Sequence, residues 1–238
     1  MSTPGYRICS GCNSNVNKAS YTKNQWTKGV GTSRCKICVL ELVEIDSNGF
    51  GAARRNEDCK CEFDFTKVHS RGSFRLVTYG RYVGGRRTNQ IAVAKWFQKE
   101  YRNMSDEFFT SDLEAVDKCL QLVKSWNGEN IIVDTIRLNI PQRMTKSSGV
   151  QYIVEPFIEN FQKFNSNTGW VSKDSTKWIA VMQALSHYSY HVSAGHFLLC
   201  DLQGGLFRDG AILTDPVVMS KSRKFGPTDL GISYTNNK

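Results

Sequence analysis

Two Cys-x2-Cys pairs near the N-terminus place the strongest single constraint on how this chain folds. Cys9 and Cys12 form the first pair, and Cys35 and Cys38 form the second. The residues between the pairs are mostly polar and basic, so they supply few side chains for an apolar core. Each pair can present two thiolates to one ion, and four thiolates suit a tetrahedral zinc ion. The spacing therefore predicts a zinc-binding module over residues 1–48 that folds around its metal. Four reduced cysteines with no shared ligand are the weaker interpretation.

The chain of 238 residues is long enough for one large domain, or for one domain with a small appendage. It contains no apolar run of the length that spans a membrane, so no membrane span is expected. The first residues lack the apolar stretch of a secretory signal. Eight cysteines then suit a reducing compartment, which predicts an intracellular, cytoplasmic or nuclear protein.

The net charge of +9 is concentrated in one segment. No Asp or Glu occurs between Phe65 and Gln98, whereas seven Lys or Arg side chains do. Such a segment attracts phosphate, whether of a nucleotide, a nucleic acid or a phosphoprotein. A nucleic-acid surface is expected to expose aromatic side chains among its cations. The aromatic residues here are spaced more like strand core, which favours a nucleotide over a nucleic acid; they are Phe74, Tyr79, Tyr82 and Trp96.

The apolar pattern of this segment predicts two strands, over 74–83 and 91–97, joined by a Gly-rich turn. Lys95 shares a strand face with Ile91, Val93 and Phe97. An ammonium group on an apolar face either reaches the strand edge or meets an anion, because a buried unpaired charge is too costly.

Further elements follow with helix and strand signals. A capping-box pattern at Ser111 predicts the start of a helix that runs to Gly128. The remaining predictions are strands over 130–140, 150–158 and 196–204, and a largely buried helix over 174–193.

The stretch CDLQGGLFRDGAILTDP contains three aspartates and a glutamine. Asp201 follows an apolar run, Gln203 comes two residues later, and Asp215 precedes a proline. Solvated acids at a strand end and a turn are one interpretation. The other is a site for a cation and its ligand, because carboxylate and amide oxygens suit Mg²⁺. Together with a glycine-bearing basic turn and Lys95, these are the parts that phosphoryl transfer needs.

With these residues and motifs the chain resembles a known family, the atypical alpha-kinases. The resemblance extends from about Gly72 to Gly231 and rests on GSFR, VAKWF, VEPFIENFQKFNSNTG, ALSHYSYHVSAGHFLLCDLQGG, LTDP and FGPTDLG. It implies an α+β, two-lobed alpha-type protein kinase fold over residues 49–238, preceded by the small zinc-ribbon-like module. The HRD and DFG motifs of conventional protein kinases are absent from the sequence.

The resemblance also implies a role for each matching position. Lys95 is expected to contact the ATP phosphates, Asp201 to be the catalytic aspartate, and Gln203 and Asp215 to hold Mg²⁺, with Asp215 needed for catalysis. Asp209 is expected to be a dispensable loop acid. Three further sets are the phosphate loop Gly72, Ser73 and Arg75, the adenine-reading hinge Glu155 and Phe157, and the substrate loop Gly226, Pro227, Thr228, Asp229, Leu230 and Gly231.

The implied function is an ATP-dependent serine/threonine protein kinase with protein substrates. The alternative is an inactive kinase-like chain that acts as a zinc-dependent module for binding protein or nucleic acid. The residues that follow Gly231 lack the histidine and cysteines with which the family completes a second zinc site. His187 is therefore expected to be a hydrogen-bonded core residue.

Overall fold

The computed structural model describes residues 5–10, 14–35, 59–85, 87–208 and 210–232. The predictions for Cys12, Cys38 and Asp209, and for a domain boundary between residues 48 and 49, lie outside these residues.

The N-terminal part is a hairpin followed by short helices. Strand β1 (Tyr6–Ile8) pairs antiparallel with β2 (Asn15–Asn17). A 3-10 helix (Lys18–Ser20) and helix α1 (Lys23–Thr27) follow, and the Thr22 hydroxyl caps α1 by accepting from the Gln25 N–H at 3.2 Å. The small buried cluster of this part consists of Cys9, Tyr21 and Cys35.

The elements of the rest of the chain alternate between strands and a few helices. The strands are β3 (Lys60–Phe63), β4 (Ser70–Arg71), β5 (Arg75–Gly84), β6 (Ile91–Phe97), β7 (Thr135–Leu138), β8 (Gln142–Thr145), β9 (Gln151–Pro156), β10 (Phe161–Lys163), β11 (Phe197–Cys200), β12 (Gln203–Phe207), β13 (Gly210–Thr214) and β14 (Val217–Ser220). The helices are a 3-10 turn (Lys99–Met104), α2 (Ser105–Gly128) and α3 (Lys177–Val192).

One antiparallel sheet has the strand order β3-β5-β6-β9-β8, with β4 beside β5. Its buried cluster includes Tyr82, Ala94, Trp96 and Val154. The strands predicted over 74–83 and 91–97 are confirmed, since β5 and β6 cover almost the same residues.

The second half combines a mixed sheet, a strand pair and both long helices. The sheet has the order β10-β12-β13-β7, in which β13 and β7 are parallel, and β11 pairs antiparallel with β14. The helices pack on these strands through a large apolar cluster that includes Leu122, Trp126, Met182, Leu185 and Leu199. Two sheets with separate cores give an α+β architecture.

Three element boundaries predicted from the sequence are wrong. Helix α2 begins at Ser105, and the predicted cap Ser111 lies inside it. Acidic Asp106 and Glu107 occupy its first turn, where the helix dipole favours negative charge. The strand predicted over 130–140 shortens to β7, and the strand predicted over 196–204 breaks at Asp201. No helix among the described residues is both long and apolar enough to cross a membrane.

Candidate active site

Asp201 and Asp215 lie in the two short segments that join one strand pairing to the next, and both line the same cavity. In one pairing Cys200 faces Val217, and in the next Gln203 faces Thr214. The chain leaves one pairing and enters the other at each aspartate. Both aspartates have left-handed backbones, with φ of 54° at Asp201 and 46° at Asp215. Such a conformation is unusual for residues other than glycine and is concentrated at functional sites.

Lys95 is buried between two carboxylates. Its ammonium group forms salt bridges with Glu155 on the neighbouring strand β9 and with Asp215. The buried Glu155 also accepts a hydrogen bond from the Thr214 hydroxyl at 2.6 Å. Lys95 therefore has the anionic partners that an ammonium group on a buried face needs.

The electrostatics of this cluster keep Lys95 charged. Burial opposes the charge, but Asp215 and Glu155 together raise the pKa of Lys95 above its ordinary value. Burial raises the pKa of Glu155, although Lys95 opposes this. Burial also opposes the charge of Asp215, yet Lys95 and Arg75 hold its pKa below the ordinary value. Asp215 is therefore ionised at neutral pH and available as an oxygen ligand for a cation.

Asp201 has a cationic partner of its own. Lys163, at the end of β10, lies opposite Gln203 in the sheet, and its Nζ is 2.6 Å from Asp201 Oδ1. Gln203 Nε2 lies 3.5 Å from Asp201 Oδ2. The Gln203 carboxamide therefore lies beside the Asp201 carboxylate, and its other atom is an oxygen of the kind that Mg²⁺ binds.

The predicted phosphate loop is a tight turn fixed by one buried side chain. The Gly72 N–H donates to the Arg75 carbonyl at 2.8 Å. Gln98 Nε2 donates to the carbonyls of Gly72 at 2.9 Å and Ser73 at 3.1 Å. The loop is therefore held in one shape by Gln98, at the end of the strand that contains Lys95.

Arg75 points from this loop towards helix α2. Its guanidinium forms a salt bridge with Asp112 and lies over the ring of Phe97, 4.9 Å from the ring centroid. Burial raises the pKa of Asp112, and the nearby Asp215 adds to this, while Arg75 opposes it. The predicted phosphate-binding arginine is thus engaged by a carboxylate of α2.

A cavity of about 400 Å³ lies beside Asp201, Asp215 and the turn at Gly72. Its lining includes the predicted residues Gly72, Ser73, Arg75, Asp201, Asp215, Pro227 and Thr228, and also Phe97, Asp112, Ile153 and Asn167. A volume of this size suits a nucleotide or a similar small ligand.

Other predicted residues lie elsewhere. The Glu155 side chain points towards Lys95. Phe157 is partly exposed and packs edge-on against Tyr79, at a centroid distance of 5.4 Å. The backbone that precedes it is fixed by Asn139, whose Nδ2 donates to the Pro156 carbonyl at 2.8 Å. Gly226, Leu230 and Gly231 belong to the segment that contributes Pro227 and Thr228 to the cavity.

Four side chains of this site were not predicted from the sequence to be site residues: Lys163, Gln98, Asp112 and Asn165. Asn165 is buried, accepts from the Leu202 N–H at 2.8 Å, and so supports the backbone just after Asp201. Lys163 and Asn165 lie within the motif FQKFNSN that was quoted for the family resemblance. Gln98 and Asp112 contact residues that are distant in the sequence, so no local sequence pattern reveals their partners.

The two described cysteines of the predicted zinc module lie together. Cys9 and Cys35 are buried, and the Cys35 N–H donates to Cys9 Sγ at 3.1 Å. Within the described ranges, no three His, Cys, Asp or Glu side chains converge as a metal site. Two of the four predicted zinc ligands, Cys12 and Cys38, lie outside those ranges.

Comparisons with known proteins agree with this arrangement. Residues 70–237 match the family model of the alpha-kinase family. Alpha-protein kinase vwkA of Dictyostelium discoideum is 26% identical over 174 residues, which are 72% of this chain and 26% of that protein. Myosin heavy chain kinase C of the same organism is 39% identical over 79 residues, which are 32% of this chain and 9% of that protein. The chain thus spans only a minor part of these relatives.

Solved structures share the fold. The alpha-kinase domain of myosin-II heavy chain kinase A in complex with AMP-PNP has a TM-score of 0.62 at 22% identity, covering 75% of this chain and 81% of that one. An alpha kinase from Entamoeba histolytica has a TM-score of 0.61 at 20% identity, covering 74% and 71%. The part of the chain that these structures cover therefore has the fold of an alpha-kinase catalytic domain.

Proposed function

Because the chain belongs to the alpha-kinase family, we propose that it is an ATP-dependent protein kinase that phosphorylates serine or threonine hydroxyls. The observation that supports this most is the placement of Asp201 and Asp215 beside one cavity, each with a lysine partner. The cavity also contains the fixed turn at Gly72, so phosphate and cation ligands occur together.

Each side chain has a chemical task in this proposal. Lys95 offsets phosphate charge and is held for that purpose by Glu155. Asp215 and Gln203 supply oxygen ligands for Mg²⁺, which when bound neutralises phosphate charge.

Asp201 acts on the acceptor in this proposal. It orients the acceptor hydroxyl and accepts its proton, while the hydroxyl oxygen forms a bond to the γ-phosphorus of ATP. The bond between that phosphorus and the bridging oxygen breaks, and ADP leaves with the electron pair.

We infer that Lys163 orients the Asp201 carboxylate, because its Nζ is 2.6 Å from Asp201 Oδ1. Lys163→Met should therefore reduce the turnover number more than the apparent affinity for ATP. Equal turnover numbers for the variant and the unchanged chain would contradict this role.

Transfer of labelled phosphate from ATP tests the proposal. The unchanged chain should label itself or a protein substrate in the presence of Mg²⁺. Asp201→Asn should lower the rate by about 10²- to 10⁴-fold while nucleotide still binds. Asp215→Asn should weaken Mg²⁺-dependent nucleotide binding. Activity equal to the unchanged chain in both variants would contradict the assignment.

We also propose that Cys9, Cys12, Cys35 and Cys38 bind one structural zinc ion. The support is the paired spacing, the burial of Cys9 and Cys35 in the same cluster, and the N–H donor that Cys35 directs at Cys9 Sγ. N–H donors stabilise thiolates, and thiolates are the form that binds zinc. Metal analysis of the purified chain should find one zinc ion per chain, and Cys35→Ser should lower the zinc content. Unchanged zinc in that variant would refute the assignment.

A further inference from the structure

We propose that loop 221–231, the segment after β14, selects protein substrates with anionic groups next to the acceptor hydroxyl. The anion is a carboxylate or a phosphate of the substrate. This inference rests on the proposed kinase function and adds a substrate class to it.

The loop forms one side of the active-site cavity. Pro227 and Thr228 line the same cavity as Asp201 and Asp215. Asn167, which also lines it, donates from Nδ2 to the Thr228 carbonyl at 3.2 Å. A substrate segment that brings a hydroxyl to Asp201 therefore lies close to this loop.

The loop is held in shape by one buried carboxylate. Asp229 Oδ1 accepts from the N–H groups of Ser220 at 2.9 Å and Gly231 at 3.1 Å. Its Oδ2 accepts from the Ser220 hydroxyl at 2.7 Å and the Phe225 N–H at 3.3 Å. This carboxylate has four donors, two from the loop and two from Ser220 at the end of β14, so it is fully occupied. Asp229 is therefore a positioning residue, and it does not offer a negative charge to a substrate.

Packing against the rest of the molecule fixes the loop further. Phe225 is buried against Phe197, at a centroid distance of 6.0 Å. Gly226 has φ of 79°, and a Cβ there would lie 2.9 Å from the Cβ of Ser111 on α2. A side chain at Gly226 would therefore force the loop away from the helix. A preorganised loop loses little entropy when it binds a partner.

The exposed charges of this loop are all positive. Lys221, Arg223 and Lys224 are exposed, and among the described residues none of the three forms a salt bridge. Arg223 folds over the loop, since a Cβ at Gly231 would lie 2.8 Å from its Nε. Lys224 Nζ lies 5.4 Å from the ring centroid of Phe197, and Lys118 Nζ lies 4.5 Å from the same centroid. These three exposed cations without carboxylate partners lie in the same preorganised loop as Pro227 and Thr228, which line the cavity, so they attract anionic residues that flank an acceptor.

The test compares short peptides with one serine acceptor and acidic, phosphoserine-containing, neutral or basic flanking residues. For the unchanged chain, kcat/KM should be about three- to tenfold higher for the acidic than for the neutral peptide, mainly through KM. The preference should shrink at high salt, because exposed charges are screened. The phosphoserine peptide distinguishes the two anions: a preference for it alone assigns phosphate, and a preference for both assigns negative charge in general.

Variants tie the preference to the loop. K221Q/R223Q/K224Q should abolish the preference for acidic peptides, and R223E/K224E should reverse it towards basic peptides. The matched control K23Q/K28Q/K173Q removes three exposed cations elsewhere and should keep the preference. A preference that survives the loop variants, or that disappears equally in the control, would overturn the inference.

Two further outcomes are informative. Phosphate transfer without any acidic preference would refute the inference alone, whereas no transfer to any peptide and no ATP binding would refute the kinase proposal as well. If the loop variants weaken binding of a single-stranded oligonucleotide and leave the peptide preference intact, the loop is a nucleic-acid surface, and the inference is wrong.

Discussion

Replacement of Glu155 by glutamine tests the buried cluster around Lys95. Glutamine has nearly the same shape and can still accept the hydrogen bond from Thr214, so the change removes mainly the charge. A hydrogen bond between charged groups contributes about 1.5–3 kcal/mol, and Lys95 keeps Asp215 as a partner. Glu155→Gln should therefore lower the free energy of unfolding by about 1.5–3 kcal/mol.

Glu155→Ala should cost more, about 3–5 kcal/mol, because the Thr214 hydroxyl then also loses its acceptor. Urea denaturation of the nucleotide-free chain measures both changes. Glu159→Gln is the matched control, since Glu159 is exposed and follows the same strand. That control should change stability by less than about 0.5 kcal/mol.

A double-mutant cycle with Lys95→Met isolates the pair. The coupling energy between Glu155 and Lys95 should exceed about 1.5 kcal/mol, because the two side chains are buried and in contact. Additivity within about 0.5 kcal/mol would refute the conclusion that Glu155 holds Lys95 in place.

Further predictions concern a buried carboxyl group, a buried hydrogen-bond acceptor and a glycine that lies close to a neighbouring backbone. Burial raises the pKa of Asp117 to about 6. A raised carboxyl pKa means that the folded state binds the proton more tightly, so stability falls as pH rises from about 4 to 6. Asp117→Asn should therefore stabilise the chain by about 1–2 kcal/mol at pH 7 and by nothing below pH of about 4, as urea denaturation at both pH values will show. Asn165→Ala leaves the buried Leu202 N–H without its acceptor, so it should lower the free energy of unfolding by about 2–3 kcal/mol and also reduce kcat. A kcat equal to that of the unchanged chain would contradict the conclusion that Asn165 supports Asp201. Gly204→Ala should lower the free energy of unfolding by more than about 3 kcal/mol, because its Cβ would lie 1.9 Å from the Ile212 carbonyl oxygen. Gly128→Ala has open space and should stabilise the chain slightly, and thermal denaturation measures both variants.

The strands around Lys95 could be predicted from the sequence because their signal is local. Alternating side chains and a Gly-rich turn give β5 and β6 almost to the residue. For Lys95 the apolar strand face predicted either a place at the strand edge or an anionic partner, and the structure gives it two carboxylates. The identity of that anion was not predictable, because Glu155 and Asp215 come from strands far away in the sequence.

The boundaries that failed depend on tertiary structure. The predicted strand over 196–204 does not continue past Cys200, because the chain changes pairing partners at Asp201. The resemblance to alpha-kinases indicated that Asp201 and Asp215 act together, and the two strand pairings that flank both residues place them beside one cavity. The partner of Asp201, Lys163, lies in a three-residue strand that is too short to show a periodic pattern.

Phosphate transfer with matched aspartate variants tests the central claim most directly. The unchanged chain, Asp201→Asn and Glu159→Gln should be incubated with labelled ATP, Mg²⁺ and a protein substrate, and nucleotide binding should be measured in parallel. We expect transfer by the unchanged chain and by Glu159→Gln, and loss of transfer with retained nucleotide binding in Asp201→Asn. Transfer at the same rate by all three proteins, or nucleotide binding by none of them, would contradict it.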